Sequence, residues 1–305
     1  MGARPRLAVT LGDPRGIGPE ISAAASRDAR VQAAADLVFV GPATAHGSVD
    51  ETLSAWHASG DAADAGRFAG RAVDRAIVMA KGGEVQGIVT APLDKHALLS
   101  GGYDFPGHTE MLAARMGCDV AMMLAAVRPN AGMVNPLRVV LATTHIALRD
   151  VHSTLTAKLI RTTAEVTRRG LREAFQIAEP RIALCGLNPH LGDGGRFGDE
   201  AQVLLEPAAR ESGLLGPFPA DTVFVRAMKG AYDAVIAPYH DVGMTAIKVA
   251  SFGAAVNVTL GLPFPRTSPD HGTALDIAGK GVADPSSMIE AILLCAHIAG
   301  TNRAA

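Results

Sequence analysis

The chain has 305 residues, of which 48% are hydrophobic, 19% charged and 4% aromatic, with a formal net charge of −2. That length suits two domains of about 100–200 residues each, and the apolar share supplies a large core. The lack of a basic excess and the scarcity of aromatic rings exclude a phosphate-tracking or base-stacking nucleic-acid surface.

In chain order, residues 7–10 read as a first strand, and Pro19-Glu20-Ile21 begins a helix. Residues 37–40 form a second strand that ends at Gly41-Pro42. Residues 43–66 are rich in Ala, Asp and Gly and show weak periodicity, so they yield no element. Residues 67–82 are helical, and residues 87–90 form a third strand. Residues 122–124 and 137–142 predict an antiparallel pair around Arg128-Pro129-Asn130. Residues 153–173 predict one long amphipathic helix, with Leu155, Leu159, Thr163 and Val166 at helical spacing. Short apolar runs at 182–185 and 234–237 read as buried strands, and a further strand begins at Asn257. Alternation of strand and helix predicts an α/β fold with mainly parallel strands.

Three of these strands end in a histidine: His145 after residues 139–142, His190 after residues 182–185, and His240 after residues 234–237. In open α/β sheets ligands bind where strands end. Three imidazoles in such positions are suited to one divalent metal with coordination positions left open. Any one of them alone reads equally well as a structural histidine.

Other segments carry chemistry beside a plainer reading. The Gly12-Asp13-Pro14-Arg15-Gly16-Ile17-Gly18 loop is either a tight turn or a loop whose amides face a ligand. In Gly107-His108-Thr109-Glu110, His108 or Thr109 serves as a helix cap, or the group binds an anion such as phosphate. The Gly-dense loop from Asn188 to Glu200 has little packing purpose. Tyr239-His240-Asp241 and Lys248 lie on one loop and the segment after it. Asp241 is placed to orient an imidazole or take a proton, and Lys248 to pair with a carboxylate or phosphate unless it is an ordinary solvated lysine. Arg266, in a Pro-bounded loop, is capable of bidentate anion binding.

Cys118, Cys185 and Cys295 are widely spaced in apolar company and read as buried thiols in a reducing compartment. Arg4 and Arg6 lead directly into a strand, without a signal peptide. No apolar run reaches the roughly 18–20 residues of a membrane span. A cytoplasmic protein with no membrane or nucleic-acid partner is expected.

Together these motifs resemble the 4-hydroxythreonine-4-phosphate dehydrogenase family of vitamin B6 synthesis. The resemblance runs over nearly the whole chain. It includes Thr90-Ala91-Pro92-Leu93-Asp94-Lys95, Gly107 to Glu110, Thr144-His145, Gly186 to His190, Ala220-Asp221-Thr222, Tyr239-His240-Asp241 and Asn257 to Gly279. The segment from His271 to Pro285 is also similar to the adenosine-binding loop of isopropylmalate dehydrogenases. The resemblance implies two α/β/α domains of the isocitrate/isopropylmalate dehydrogenase kind, with the active-site cleft between them. We place the first at 1–120 plus 267–305, on the dinucleotide side, and the second at 121–266, with the metal ligands and dimerisation.

Carried over by position, the resemblance makes His145, His190 and His240 the metal ligands, shared between partners of a homodimer. It makes His108, Thr109, Lys248, Asn257 and Arg266 substrate contacts, and His271, Gly272, Thr273, Asp276 and Gly279 the dinucleotide loop. The implied reaction is NAD-dependent oxidation of a phosphorylated four-carbon hydroxy acid to a β-keto acid that decarboxylates, with NADP as the alternative cofactor. Zn²⁺ suits neutral imidazoles, with Mg²⁺, Mn²⁺, Co²⁺ or Ni²⁺ as alternatives. Asp241, Lys248 and a bound water are the candidate bases. Val242 stands where the family usually has Gln, and Leu191 and Asp193 depart from the usual loop. D-Threonate or D-erythronate 4-phosphate therefore remain alternative substrates, with a cis-dihydrodiol carboxylate behind them. Two further classes are a metal-dependent hydrolase or lyase without dinucleotide, and a non-catalytic phospho-ligand binder.

Overall fold

A computed structural model of the chain describes residues 4–43, 49–56, 60–127, 133–251 and 254–302. The turn expected around Arg128-Pro129-Asn130 lies outside the described residues. The chain forms two compact units, Met1–Cys118 with Leu262–Ala305, and Asp119–Gly261.

The first unit begins with β1 (Arg6–Thr10), α1 (Gly18–Ala25), α2 (Ala29–Ala34), β2 (Asp36–Ala43) and β3 (Glu51–Ala55). It continues with α3 (Ala62–Lys81), β4 (Gly87–Thr90), α4 (Lys95–Ser100) and α5 (His108–Met116). The second unit holds β5 (Ala121–Ala126), β6 (Arg138–Leu141), α6 (Leu148–Thr154), α7 (Ala157–Phe175) and β7 (Ile182–Cys185). After these come α8 (Glu206–Ser212), β8 (Leu215–Phe218), α9 (Ala220–Met228), β9 (Ala234–Ala237), α10 (His240–Ser251) and β10 (Ala255–Leu260). The chain then returns to the first unit with β11 (Arg266–Pro269) and α11 (Ser286–Asn302).

The strands of the first unit run in the order β3-β2-β1-β4-β11, and every pairing is parallel. Parallel strands need crossovers, and helices supply them on the sheet faces. That is why β4 is buried at every residue and reads as a continuous apolar run instead of an alternating one. Leu7, Ile88, Met111 and Leu112 are fully buried in this unit, each contributing about 1.5–3 kcal/mol of burial free energy. In the second unit the order is β10-β5-β6-β9-β7-β8. The first two pairings are antiparallel, and β6, β9, β7 and β8 are mutually parallel. The antiparallel pair expected at 122–124 and 137–142 is present as β5 and β6, in register from Met122 with Leu141 to Ala125 with Arg138.

Two helices differ from expectation. The helix placed at 67–82 begins five residues earlier, at Ala62, because the Asp61 side chain accepts the Asp64 amide as an N-cap. Gly66 and Gly70 look like breakers but are contact points. A Cβ on Gly66 would meet the Ala97 carbonyl at 1.8 Å, and one on Gly70 the Tyr103 ring at 2.3 Å. The helix placed at 153–173 is two helices. Leu155 is extended, and the Thr156 side chain accepts the Leu159 amide, so α7 starts at Ala157. Leu155 is nevertheless buried, so its apolar spacing carries across the break. Finally, β3 falls within the stretch that yielded no element.

Candidate active site

The Gly-Asp-Pro loop follows β1, and its amides are spent inside the protein. Asp13 donates to the Pro92 carbonyl, Gly16 to the Asp13 carbonyl and Ile17 to the Thr273 carbonyl. The Arg15 amide donates to Asp13 Oδ1 at 2.9 Å, and the Arg15 guanidinium grips both oxygens of that carboxylate. Asp13 is fully buried. Gly12 has φ +67°, and a Cβ there would strike the Pro92 carbonyl at 2.1 Å. The loop is thus a scaffold that ties β1 to the segment after β4 and to the 271–281 loop. Of its two sequence readings, the tight turn prevails.

Beside that scaffold lies a buried cationic group. Arg266 was placed in a loop by sequence, but it is the first residue of β11, in register with Ile88, and only 1% exposed. Its guanidinium donates to Thr90 Oγ1 at 2.5 Å. Burial pushes its pKa down to about 10, against an opposing pull from Glu110. His108 opens α5. Burial, then the positive charges of Arg266 and Lys95, hold its imidazole well below the usual range, so it is neutral at pH 7. His108 Nε2 is buried with no hydrogen-bond partner. Gly107 is the N-cap of α5 and no side chain caps the helix, so neither His108 nor Thr109 plays that part. The first-turn amides, including that of Thr109, therefore have no intrahelical acceptor. A guanidinium, a neutral imidazole, the nearby Lys95 and open helix amides together suit a phosphate or carboxylate.

The 271–281 loop joins β11 to α11. Thr273 receives the Ile17 amide through its carbonyl at 2.9 Å. His271 Nδ1 lies 3.1 Å from the Gly272 carbonyl, and its Nε2 is buried without a partner. Ala274, Gly279 and Gly281 take the left-handed conformation. A Cβ on Gly272 or Gly279 would meet nothing within 4 Å, and Asp276 is exposed. This is an open cradle with a waiting ring nitrogen, which fits a polar ligand such as a dinucleotide.

In the second unit, β6 and β9 are parallel neighbours, so their following loops emerge side by side. Those loops are stitched together. The Ala142 amide donates to the Ala237 carbonyl, and the Thr143 amide and hydroxyl both donate to the Pro238 carbonyl. This places His145 and His240 with ring centroids 5.6 Å apart. His240 Nδ1 lies 2.7 Å from Asp241 Oδ1, so Asp241 orients the ring and Nε2 is the nitrogen that could meet a ligand. Both residues were read as loop, but they are the first turn of α10. Lys248 follows Asp241 by seven residues on that helix, about 10 Å along its axis, so the two candidate bases are not adjacent. Asn257 lies on β10, its Oδ1 buried without a partner.

His190 is held differently. It lies in a left-handed turn, with φ 51° and ψ 31°, followed by Leu191 at 58° and 33°. The adjoining loop is anchored by Glu200, which accepts Asn188 Nδ2 at 2.5 Å and pairs with His152 Nδ1 at 3.0 Å. Among the described residues, no three His, Cys, Asp or Glu side chains converge on one metal position. The chain therefore brings together two of the three candidate ligands, and these two fit a divalent cation that draws a further donor from elsewhere.

Sequence reasoning quoted Thr90 and Lys95 within a motif but assigned them no role. Their position at the end of a buried strand was the available signal. That β4 pairs with β11, bringing Thr90 to Arg266, is tertiary information.

Comparison with known proteins gives the family of the chain. Residues 20–295 match the family model described as pyridoxal phosphate biosynthetic protein PdxA. A 4-hydroxythreonine-4-phosphate dehydrogenase of Ruegeria sp. (strain TM1040) is 42% identical, the match covering 99% of each chain. One of Chromobacterium violaceum is also 42% identical, covering 98% of each. The crystal structure of the 4-hydroxythreonine-4-phosphate dehydrogenase from Klebsiella pneumoniae superposes with a TM-score of 0.80 at 38% identity, covering 97% of this chain and 99% of that one. Its mixed α/β architecture is shared here. The chain belongs to the PdxA family and is, with these dehydrogenases, an oxidoreductase.

Proposed function

We propose that the protein oxidises a phosphorylated four-carbon hydroxy acid of the 4-phosphohydroxy-L-threonine type, with a nicotinamide dinucleotide as hydride acceptor. The observation that carries this reading is the group at the start of α5, where the buried Arg266 and the exposed Lys95 set positive charge about His108, whose Nε2 has no hydrogen-bond partner among the described residues. The names of the family relatives support it, and the product is taken to be a β-keto acid that loses its carboxylate.

When bound, a divalent cation (Zn²⁺ first, from the imidazole donors) supplies acidification of the reacting alcohol, and the dinucleotide supplies the hydride acceptor. His145 and His240 would hold the cation, and His271 with the 272–279 backbone would hold the dinucleotide. Arg266 and Lys95 fix the phosphate by charge, while His108 Nε2 and the Thr109 amide fix its oxygens by hydrogen bonds. Asp241 keeps the His240 ring oriented and is positioned to take a proton; Lys248 is the alternative base. Asn257 Oδ1 is an acceptor for a substrate hydroxyl or ammonium group.

The pocket at His145 and His240 is rimmed by Ile146 and Leu148, and Leu148 is 70% exposed. We read that rim as the face covered by a second copy of the chain, which would supply the missing donor in a homodimer.

The test is a panel of 4-phospho hydroxy and amino acids, with and without their phosphates, followed by absorbance of reduced nicotinamide. Phosphorylated members should dominate in kcat/KM, and Arg266→Ala should raise KM for them selectively. Turnover in the absence of dinucleotide would instead favour a hydrolase or lyase. Equal use of unphosphorylated acids would remove the phosphate assignment.

A further inference from the structure

The 188–200 loop ends on a carboxylate to which the reading above gives no role. Glu200 precedes the helical turn Ala201–Leu205, yet its side chain caps no amide of that turn. It folds back on its own loop instead and is 16% exposed. Its two oxygens are divided between two partners. Oε2 accepts Asn188 Nδ2 at 2.5 Å, and Oε1 lies 3.0 Å from His152 Nδ1. Gly198 makes room for this arrangement. Its φ is +103°, and a Cβ there would meet Glu200 Oε2 at 2.3 Å and Asn188 Nδ2 at 2.6 Å.

Each partner leads to a candidate ligand. The Asn188 carbonyl accepts the Leu191 amide at 3.2 Å, which closes a turn around Pro189 and His190. Asn188 is therefore fixed twice, through its side chain by Glu200 and through its main chain by the turn. His152 lies on α6, which begins at Leu148, directly after the His145 loop. One carboxylate thus ties the turn holding His190 to the helix that continues the His145 segment. His190 and Leu191 adopt left-handed angles, which are unfavourable for residues with a Cβ, so the turn depends on contacts from outside it. We propose that Glu200 is a positioning residue: it holds the His190 turn against α6 and so sets the direction in which His190 meets a divalent cation. This rests on the reading of His190 as a ligand alongside His145 and His240. Reach to Asn188 and His152 is what matters, and negative charge is not.

Calorimetric Zn²⁺ binding to the full chain, with amide exchange at Leu191, tests it. Glu200→Ala should weaken Zn²⁺ binding by about 10–100-fold, the usual cost of removing a group that orients a ligand, and should speed exchange of the Leu191 amide. Glu200→Asp keeps the charge but falls one methylene short, and should behave like the alanine variant. Glu200→Gln keeps an acceptor for Asn188 at full reach and should restore most of the affinity. Asn188→Ala should reproduce the loss, and combining it with Glu200→Ala should lose no more than either change alone, as expected of residues that act as a unit. The Asp and Gln variants change little volume, so their comparison stands even where the alanine variant fails to fold. Parent-like Zn²⁺ affinity in the Asp variant, equal losses in the Asp and Gln variants, or additive losses in the double variant would each overturn the proposal. His190→Ala separates the two levels. If it leaves Zn²⁺ binding unchanged, the ligand reading of His190 fails and the proposal falls with it. If it weakens binding and no Glu200 variant does, the proposal alone fails.

Discussion

Arg266→Met tests whether this buried guanidinium is kept for a ligand or for the fold. The side chain is 1% exposed, and burial pushes its pKa down to about 10. At about 1.36 kcal/mol per decade, holding the charge there costs about 3 kcal/mol relative to water. The bond to Thr90 Oγ1 at 2.5 Å returns about 1.5–3 kcal/mol, the range for hydrogen bonds to charged groups. Methionine keeps an unbranched apolar stem and removes the charge together with its desolvation cost. Without ligand, the cost removed and the hydrogen bond lost nearly cancel, so the variant should be within about 2 kcal/mol of the parent. In phosphate at about 100 times its Kd, the parent should gain about 2.7 kcal/mol and the variant little. Urea unfolding with and without phosphate measures both quantities. Loss of more than about 2 kcal/mol without ligand would show that the charge is structural. An undiminished gain from phosphate would refute its part in anion binding.

Three further outcomes follow from the same structure. The folded pKa of His108 sits well below the unfolded 6.5, so the unfolded chain takes up a proton first on acidification. Stability from this group is present above about pH 6.5 and is lost as pH falls towards the folded value; His108→Gln should flatten that limb of the urea midpoint against pH, and an unchanged limb would exclude His108 as its source. Gly66→Ala should destabilise the protein by about 2–3 kcal/mol in thermal or urea unfolding, because the new methyl meets the Ala97 backbone at 1.8 Å and neither helix can yield without moving the other. Burial pushes the Cys185 and Cys295 thiols up to about 12, whereas Cys118 is half-exposed; a thiol reagent should modify Cys118 alone in the native protein and all three after unfolding, and rapid native modification of Cys295 would contradict its burial.

What was legible in the sequence was whatever depends on local period and on position along the chain. The buried strands 87–90, 182–185 and 234–237 match β4, β7 and β9 because continuous short apolar runs between turn signals have few other solutions. Helix boundaries were less legible. Thr156 starts a new helix through a single side-chain hydrogen bond just after the previous one ends at Thr154, while the apolar spacing of Leu155 and Leu159 continues as though nothing intervened. Gly66 and Gly70 mislead for the opposite reason. In isolation they lower helix propensity, yet here they are what lets α3 approach α4 and Tyr103. The residues around Arg266 needed strand pairing to be seen, since Thr90 and Arg266 are 176 positions apart and no local pattern connects them.

The three histidines show where position stops being enough. All follow parallel strands, and strand adjacency alone explains why two of them meet, since β6 and β9 are direct neighbours with stitched loops. The strand before His190, β7, also borders β9, so by strand order His190 has an equal claim on that neighbourhood. The difference lies in the backbone after the strand. His190, Leu191 and Asp193 all adopt left-handed angles, at about 1–2 kcal/mol each for residues with a Cβ. Gly192, Gly194 and Gly195 between and after them take the same region without that cost. A loop selected only for its shape would carry glycine throughout. The backbone thus sets His190 apart from the two neighbouring strand ends, while Glu200 holds the adjoining loop through Asn188 and pairs with His152.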